Sequence, residues 1–494
     1  MWVPARPAAR LRVLVIGLAL CLTAVACGGS SSVRAASPLR LKSCTVQGLA
    51  ARCVTLMVPE DRLSGTGRRI PIRVVVFPAR GPSRAPDPVV DFSGGPGGSA
   101  VGDIPAVLSE LGVLGQRRDL VFIDQRGTGG SNGLSCPSPP ATLADQPQVR
   151  RSIQSCLASL RGKADLRFYT SAMAAGDVAQ VLTALGYSTV NLYGGSYGTS
   201  AAQVFQQMFP ARVRTMTLLG GTLLGIPLWE RFPQASQQAL DQVFARCASD
   251  SACHHAFPRL GAEWATLRAF LARSPVDVPA ALSPTGTAIR ADDALLADGV
   301  HHLLLSVNAA AYVPLLIHSL FTARDEPGAF AGLVRQMTAH GLLPGPESQA
   351  VIGYPIRCAE PWARLLPAQI TGTSSYYYPA TVQGARWWQY VCTLIPAPGA
   401  AAGYGPQRLS PVPVLMINGT ADPQDPPANM SGAQQIWPNS RLLAEPGQSH
   451  STDLRAWLQC GADLVQAFVE HASASGLNTS CLAHVALPPF PLQW

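Results

Sequence analysis

Hydrophobic positions along this chain fall into two textures. Short apolar runs at strand length recur through the first half: Arg69 to Phe77, Pro88 to Phe92, Asp119 to Ile123, Thr189 to Tyr193 and Val213 to Leu219. Between the last two strands and before them the pattern becomes helical. Ala175 to Gly186 is amphipathic and stops at a glycine, and Ser200 to Phe209 stops at Pro210. From about residue 225 to 405 the text is mostly helical, as in Gln238 to Arg246 and Ala262 to Leu271, with short Pro/Gly breaks. Strand texture returns at Pro411 to Ile417 and Ser440 to Ala444. Leu41 to Pro59 reads as an irregular lead-in. Alternating strands and helices predict an α/β fold with a mostly parallel sheet. Residues 41–224 and 406–494 would form its two parts, with 225–405 inserted as a helical cap over the site.

The strands end where chemistry is placed. Strand 88–92 runs into Ser93-Gly94-Gly95-Pro96-Gly97-Gly98-Ser99, and strand 119–123 into Asp124-Gln125-Arg126-Gly127. Strand 189–193 runs into Gly194-Gly195-Ser196-Tyr197-Gly198. A Gly-x-Ser-x-Gly turn between strand and helix is a nucleophile elbow, whose strained backbone lifts the serine oxygen clear of the sheet. A serine hydroxyl needs a base to take its proton and a carboxylate to orient that base. Ser196, Asp422 and His450 follow in hydrolase order, each just after a strand. Of nine histidines only His450 is so placed. Asp425 rivals Asp422 for the carboxylate; the position of Asp422 directly after its strand favours it. The N–H of Tyr197, with that of Gly94 or Gly95, would form the oxyanion hole.

These three glycine-rich stretches, in this order, resemble the α/β-hydrolase-fold serine aminopeptidases, and most nearly the secreted tripeptidyl aminopeptidases related to prolyl aminopeptidase. The resemblance runs from about Val58 to the C-terminal region and is thin between Gly225 and Arg408. It implies an α/β-hydrolase core with a helical cap, no cofactor, and peptide substrates with a free amino terminus. Relatives usually carry threonine where Asp425 stands, and often histidine where Ser93 stands. An exopeptidase must receive a charged amine on a carboxylate. Glu360, in Cys358-Ala359-Glu360, is similar to an acidic residue following a cysteine in the tripeptidyl branch. Tyr376 to Tyr378 and Trp387-Trp388 either line an apolar subsite or pack between cap helices.

Composition narrows the alternatives. Charged residues are only 13% of 494, and the net charge of +8 is spread thinly, with no basic block to hold nucleic acid. Arg6, Arg10 and Arg12 precede an apolar run, Val13 to Val25, too short for a membrane span. Residues 1–26 therefore read as a bacterial export signal. Ala24-Val25-Ala26-Cys27 resembles a lipobox that would lipidate Cys27, with a plain cleavage site as the alternative; residues 27–40 would be a flexible tether. Setting Cys21 and Cys27 aside, ten of the twelve cysteines remain. They cluster as Cys44 with Cys53, Cys136 with Cys156, Cys247 with Cys253, Cys358 with Cys392 and Cys460 with Cys481. In an oxidising compartment these predict disulfides; none has the tight spacing of a zinc site. His301-His302 near Asp298 makes no ligand set, so no metal is expected. The sequence reads as an exported serine hydrolase, secreted or an envelope lipoprotein held to the membrane by its lipid. An aminopeptidase is the first reading, and a carboxylesterase or lipase with the same triad the alternative.

Overall fold

The alternation in Arg69–Phe77 shows how the sheet is built. Ile70, Ile72, Val74 and Val76 pack into one buried cluster, and Val75 into another on the opposite face. Val121 and Ile123 against Leu120 and Phe122, and Val414 and Met416 against Leu415 and Ile417, divide in the same way. Successive side chains of a strand point to opposite faces, so a strand apolar at every position is buried on both. The computed structural model describes residues 39–139, 146–227, 229–282, 289–324, 332, 336, 348–360, 366–396, 407–450 and 455–494. Residues 1–38, where the export signal, the lipidated Cys27 and most of the tether are expected, lie outside the described residues.

Nine strands form the central sheet: β1 (Lys42–Val46), β2 (Leu49–Pro59), β3 (Arg69–Phe77), β4 (Val89–Phe92), β5 (Leu120–Ile123), β6 (Val190–Gly195), β7 (Val213–Leu219), β8 (Val414–Gly419) and β9 (Ser440–Glu445). Their spatial order is β1-β2-β3-β5-β4-β6-β7-β8-β9. The pairs from β5 to β9 are parallel, while β1, β2 and β3 add antiparallel neighbours at one side. Helices α1 (Ile104–Leu111) and α4 (Arg455–His471) cover one face. Helices α2 (Ser171–Leu185) and α3 (Tyr197–Met208) cover the other. Parallel neighbours all end on the same side, which brings the β4, β5, β6, β7, β8 and β9 loops together.

The stretch 41–59, expected as an irregular lead-in, is instead the hairpin of β1 and β2. Gln47 and Gly48 turn it with φ of 48° and 79°, the two positive values that a two-residue hairpin requires. Much of β2 is exposed on alternate residues, and its arginine and threonine positions blunt the apolar signal. A helix at Gln146–Leu160 and a small pairing of Ser135–Pro137 with Ser348–Ala350 were also not foreseen. Within the 225–405 stretch, helices Phe232–Ser249, Leu260–Arg273, Asp293–Leu304 and Val313–Ala323 enclose a third apolar cluster around Trp264 and Leu316. Disulfides join Cys44–Cys53, Cys136–Cys156, Cys247–Cys253, Cys358–Cys392 and Cys460–Cys481.

Candidate active site

Ser196 sits between the end of β6 and the first residue of α3 with φ 53° and ψ −126°, in the left-handed region that a non-glycine residue enters only under constraint. Its N–H donates to the Leu219 carbonyl at the end of β7, 2.9 Å away, which holds the turn against the sheet. The flanking glycines make the turn possible. A Cβ on Gly198 would lie 1.8 Å from the Phe92 carbonyl oxygen, and one on Gly194 would lie 2.5 Å from that of Gly198. The helix therefore starts at Tyr197, three residues before the expected Ser200, because the elbow feeds straight into it.

The loops after β8 and β9 close against each other. Thr420 and Ala421 donate backbone hydrogen bonds to Glu445 and Gln448, each 2.9 Å, and place Asp422 under His450. The His450 Nδ1 lies 2.9 Å from Asp422 Oδ2, and its Nε2 lies 3.0 Å from Ser196 Oγ. Asp422 Oδ1 accepts the N–H groups of Gln424 and Asp425, both at 2.8 Å, so its second oxygen is fixed toward the imidazole. Asp425 Oδ2 stands farther from His450 Nδ1, at 3.6 Å, and its carboxylate is held by Thr222 and the Gln424 amide. Burial alone would lower the His450 pKa. The Asp422 carboxylate, by charge and hydrogen bond, and Asp425 behind it outweigh burial and push it up to about 9. Burial, with Asp422 nearby, raises Asp425 to about 6 against the opposing pull of His450.

Gly95, Pro96 and Tyr197 line a cleft beside Ser196. Gly94 lies against Ser196; a Cβ there would stand 3.3 Å from that of Ser196. The β5 loop, which the sequence marked as chemical, is a strut for this loop. Asp124 accepts from Ser99 Oγ at 2.6 Å, Val101 N at 3.0 Å and Gly130 N at 2.8 Å. Arg126 beside it is buried and grips Asp177 of α2 at 2.7 and 2.9 Å.

Glu360, the carboxylate expected to receive an amine, lies at the start of α2. Its side chain is wholly buried and is absent from the cleft lining, and its two oxygens accept from Ser171 N at 2.7 Å and Ser171 Oγ at 2.8 Å. Ser171 opens α2, where the unsatisfied N–H groups of a helix start favour a carboxylate. Ser171 Oγ in turn meets Tyr197 OH at 2.8 Å, so Glu360 reaches the residue after the nucleophile through one hydroxyl. The group missed in the sequence is Arg357, which lines the cleft with Trp229, Thr222, Gln424 and Asp425. Nothing local marks it. Trp387 is buried, while Trp388 faces Arg357; Tyr377 is buried among the helices and Tyr376 lies under Arg268. His301 is buried against Ser236, 2.9 Å from its hydroxyl.

A family model described as alpha/beta hydrolase fold matches residues 87–293, and one described as TAP-like protein matches 378–481. With the strand order above, these decide the fold. The chain is an α/β hydrolase by fold. It is similar to Serine protease Hip1 of Mycobacterium tuberculosis, 28% identical over 227 residues, which is 41% of this chain and 42% of that protein. It is also similar to a tripeptidyl aminopeptidase of Streptomyces coelicolor, 28% identical over 185 residues and 34% of each chain. The match thus spans between about a third and two fifths of these relatives' length. Among solved structures, a proline iminopeptidase from Mycobacterium smegmatis aligns over 85% of this chain and 99% of its own, with 17% identity and a TM-score of 0.40. Among the described residues of this α/β hydrolase, no helix is long and apolar enough to cross a membrane.

Proposed function

We propose that this α/β hydrolase is an exported serine peptidase, with Ser196 as nucleophile, His450 as base and Asp422 as the orienting carboxylate. The observation that carries this reading is the continuous chain of contacts from Asp422 through His450 to Ser196, at 2.9 and 3.0 Å. As Ser196 Oγ attacks a carbonyl carbon, its proton passes to His450 Nε2. The tetrahedral oxyanion is received by the N–H groups of Gly95 and Tyr197, with Gly94 shaping their loop. Collapse expels the amine with the proton from His450, leaving an ester on Ser196. Water, deprotonated by the same imidazole, then frees the acid and restores the serine. No cofactor enters these steps.

The first substrate reading is a peptide with a free amino terminus, from which the enzyme releases short peptides or residues. The resemblance to tripeptidyl aminopeptidases supports it. Residues 225–405 would act as the cap, and export would be followed by anchoring at Cys27 or by release. Five disulfides favour an oxidising compartment. A second reading, a carboxylesterase, is favoured by one observation: both oxygens of Glu360, the carboxylate assigned to the amine, already accept from Ser171. One set of measurements separates them: kcat/KM for a free peptide amide, its acetylated form and a small neutral ester, in the parent and in Glu360→Gln. An aminopeptidase using Glu360 loses the free peptide selectively, by about 30-fold or more. Equal losses on all three assign Glu360 to holding Ser171 and Tyr197. A parent indifferent to acetylation rules out the aminopeptidase reading.

A further inference from the structure

Arg357 stands in the last turn of the helix Gly353–Ala359 and lines the cleft that holds Ser196. Its guanidinium carbon lies 5.0 Å from the Trp229 ring centroid and 5.2 Å from that of Trp388. Indole faces stabilise a cation but offer no acceptor for its five N–H donors. Among the described residues Arg357 has no carboxylate, carbonyl or hydroxyl partner, and burial alone pulls its pKa down to about 10. This contrasts with Arg126, whose buried guanidinium is fully engaged by Asp177 and three carbonyls. A half-buried guanidinium on the cleft is thus left with donors that no acceptor among the described residues meets.

The surroundings fix it in place. The next residue, Cys358, is bridged to Cys392 on the helix that carries Trp388. Three residues on, Glu360 is tied to Ser171. A bridge and a buried carboxylate thus hold one flank of Arg357, and two aromatic rings its side chain. A planar fork so held matches a carboxylate, which can take two N–H bonds at once.

We propose that Arg357 is a specificity residue that receives a carboxylate carried by the substrate close to the bond under attack. The inference rests on Ser196 being the hydrolytic nucleophile; it does not depend on how an amine is bound. The carboxylate has two sources, an acidic side chain on the acyl residue or the free C-terminus of a short peptide, and both present the same group to Arg357.

The test uses the full exported chain and two matched pairs. One pair of peptide anilides differs only by glutamate or glutamine at the acyl residue; the other pair is a short peptide as free acid or amide. The parent should prefer the charged member of one pair by about 30-fold in kcat/KM, and which pair responds names the source. Arg357→Gln should reduce that preference to within about threefold, with the neutral member hardly changed, and Arg357→Lys should keep part of it. No preference in either pair, or equal losses on both members, overturns the proposal. In the parent alone, glutarate should slow labelling of Ser196 by a fluorophosphonate while glutaramide does not; equal behaviour of the two also overturns it. A parent that neither reacts with the fluorophosphonate nor hydrolyses any member shows that the hydrolase reading itself has failed.

Discussion

The two walls of the cleft are made in different ways. One is built of strand ends: Ser196, Asp422 and His450 each follow β6, β8 or β9 within five residues. Their positions are set by turns whose geometry is local, with Ser196 at a positive φ and Gly198 against the β4 carbonyl. The other wall comes from the helical segments. Trp229 and Arg357 lie far apart in the chain, and Arg357 is held there with Trp388 behind it, by the Cys358–Cys392 bridge and by Glu360 at the start of α2. The first wall carries chemistry that any acyl substrate would need, and the second can select among substrates. Changes on the first should therefore act alike on every substrate, and changes on the second should discriminate.

The largest effect expected is from Ser196→Ala. Losing the nucleophile should lower kcat by about 10⁶-fold on peptide and ester alike, with thermal unfolding unchanged. Equal activity on either substrate would place the nucleophile elsewhere and dissolve the distinction between the walls. Asp422→Asn comes next. It keeps the shape but presents the wrong hydrogen-bonding group to His450 Nδ1, and a loss of about 10⁴-fold is expected for every substrate. The readout is kcat/KM on the neutral ester, where Arg357 has no part.

The same division explains what the sequence could and could not tell. The strands β4 to β8 were legible because their apolar runs are largely buried on both faces, β3 and β9 by shorter apolar runs, and the candidate residues Ser196, Asp422 and His450 because each follows a strand. The hairpin of β1 and β2 was not, since its faces are partly exposed and its turn is Gln47-Gly48, outside the usual Asn-Gly signal. Cysteines paired with sequence neighbours, where the chain length between them is short and the pattern direct. Asp124 opens one of the three motif loops and braces the glycine loop; a motif names a place in the fold and leaves open whether each residue touches substrate. Glu360 and Arg357 show the limit most sharply. They are three residues apart in one short segment, and only tertiary packing turns one toward Ser171 and the other into the cleft.

The smallest effect lies within the strand-end wall and concerns Asp425. His450 must be neutral to accept the serine proton, so activity should rise with pH as the imidazolium loses its proton. Two anions oppose that loss, Asp422 at hydrogen-bond distance and Asp425 at 3.6 Å, and together they hold the pKa up to about 9 against the effect of burial. Burial raises the Asp425 pKa, with Asp422 adding to it and His450 opposing, yet leaves it below that of His450, so through the acid limb it is charged and stabilises the protonated histidine. Asp425→Asn removes one anion and leaves the hydrogen bond from His450 to Asp422. The imidazolium is then less stabilised, and the acid limb of the activity profile should move to lower pH by about half to one unit. The plateau should stay within about threefold of the parent, because the base is still oriented. The profile of kcat/KM between about pH 5 and 10, on an uncharged ester, reads this directly. A shift to higher pH would contradict the sign. A loss of about 10⁴-fold at every pH would make Asp425 the orienting carboxylate and reduce Asp422 to its neighbour.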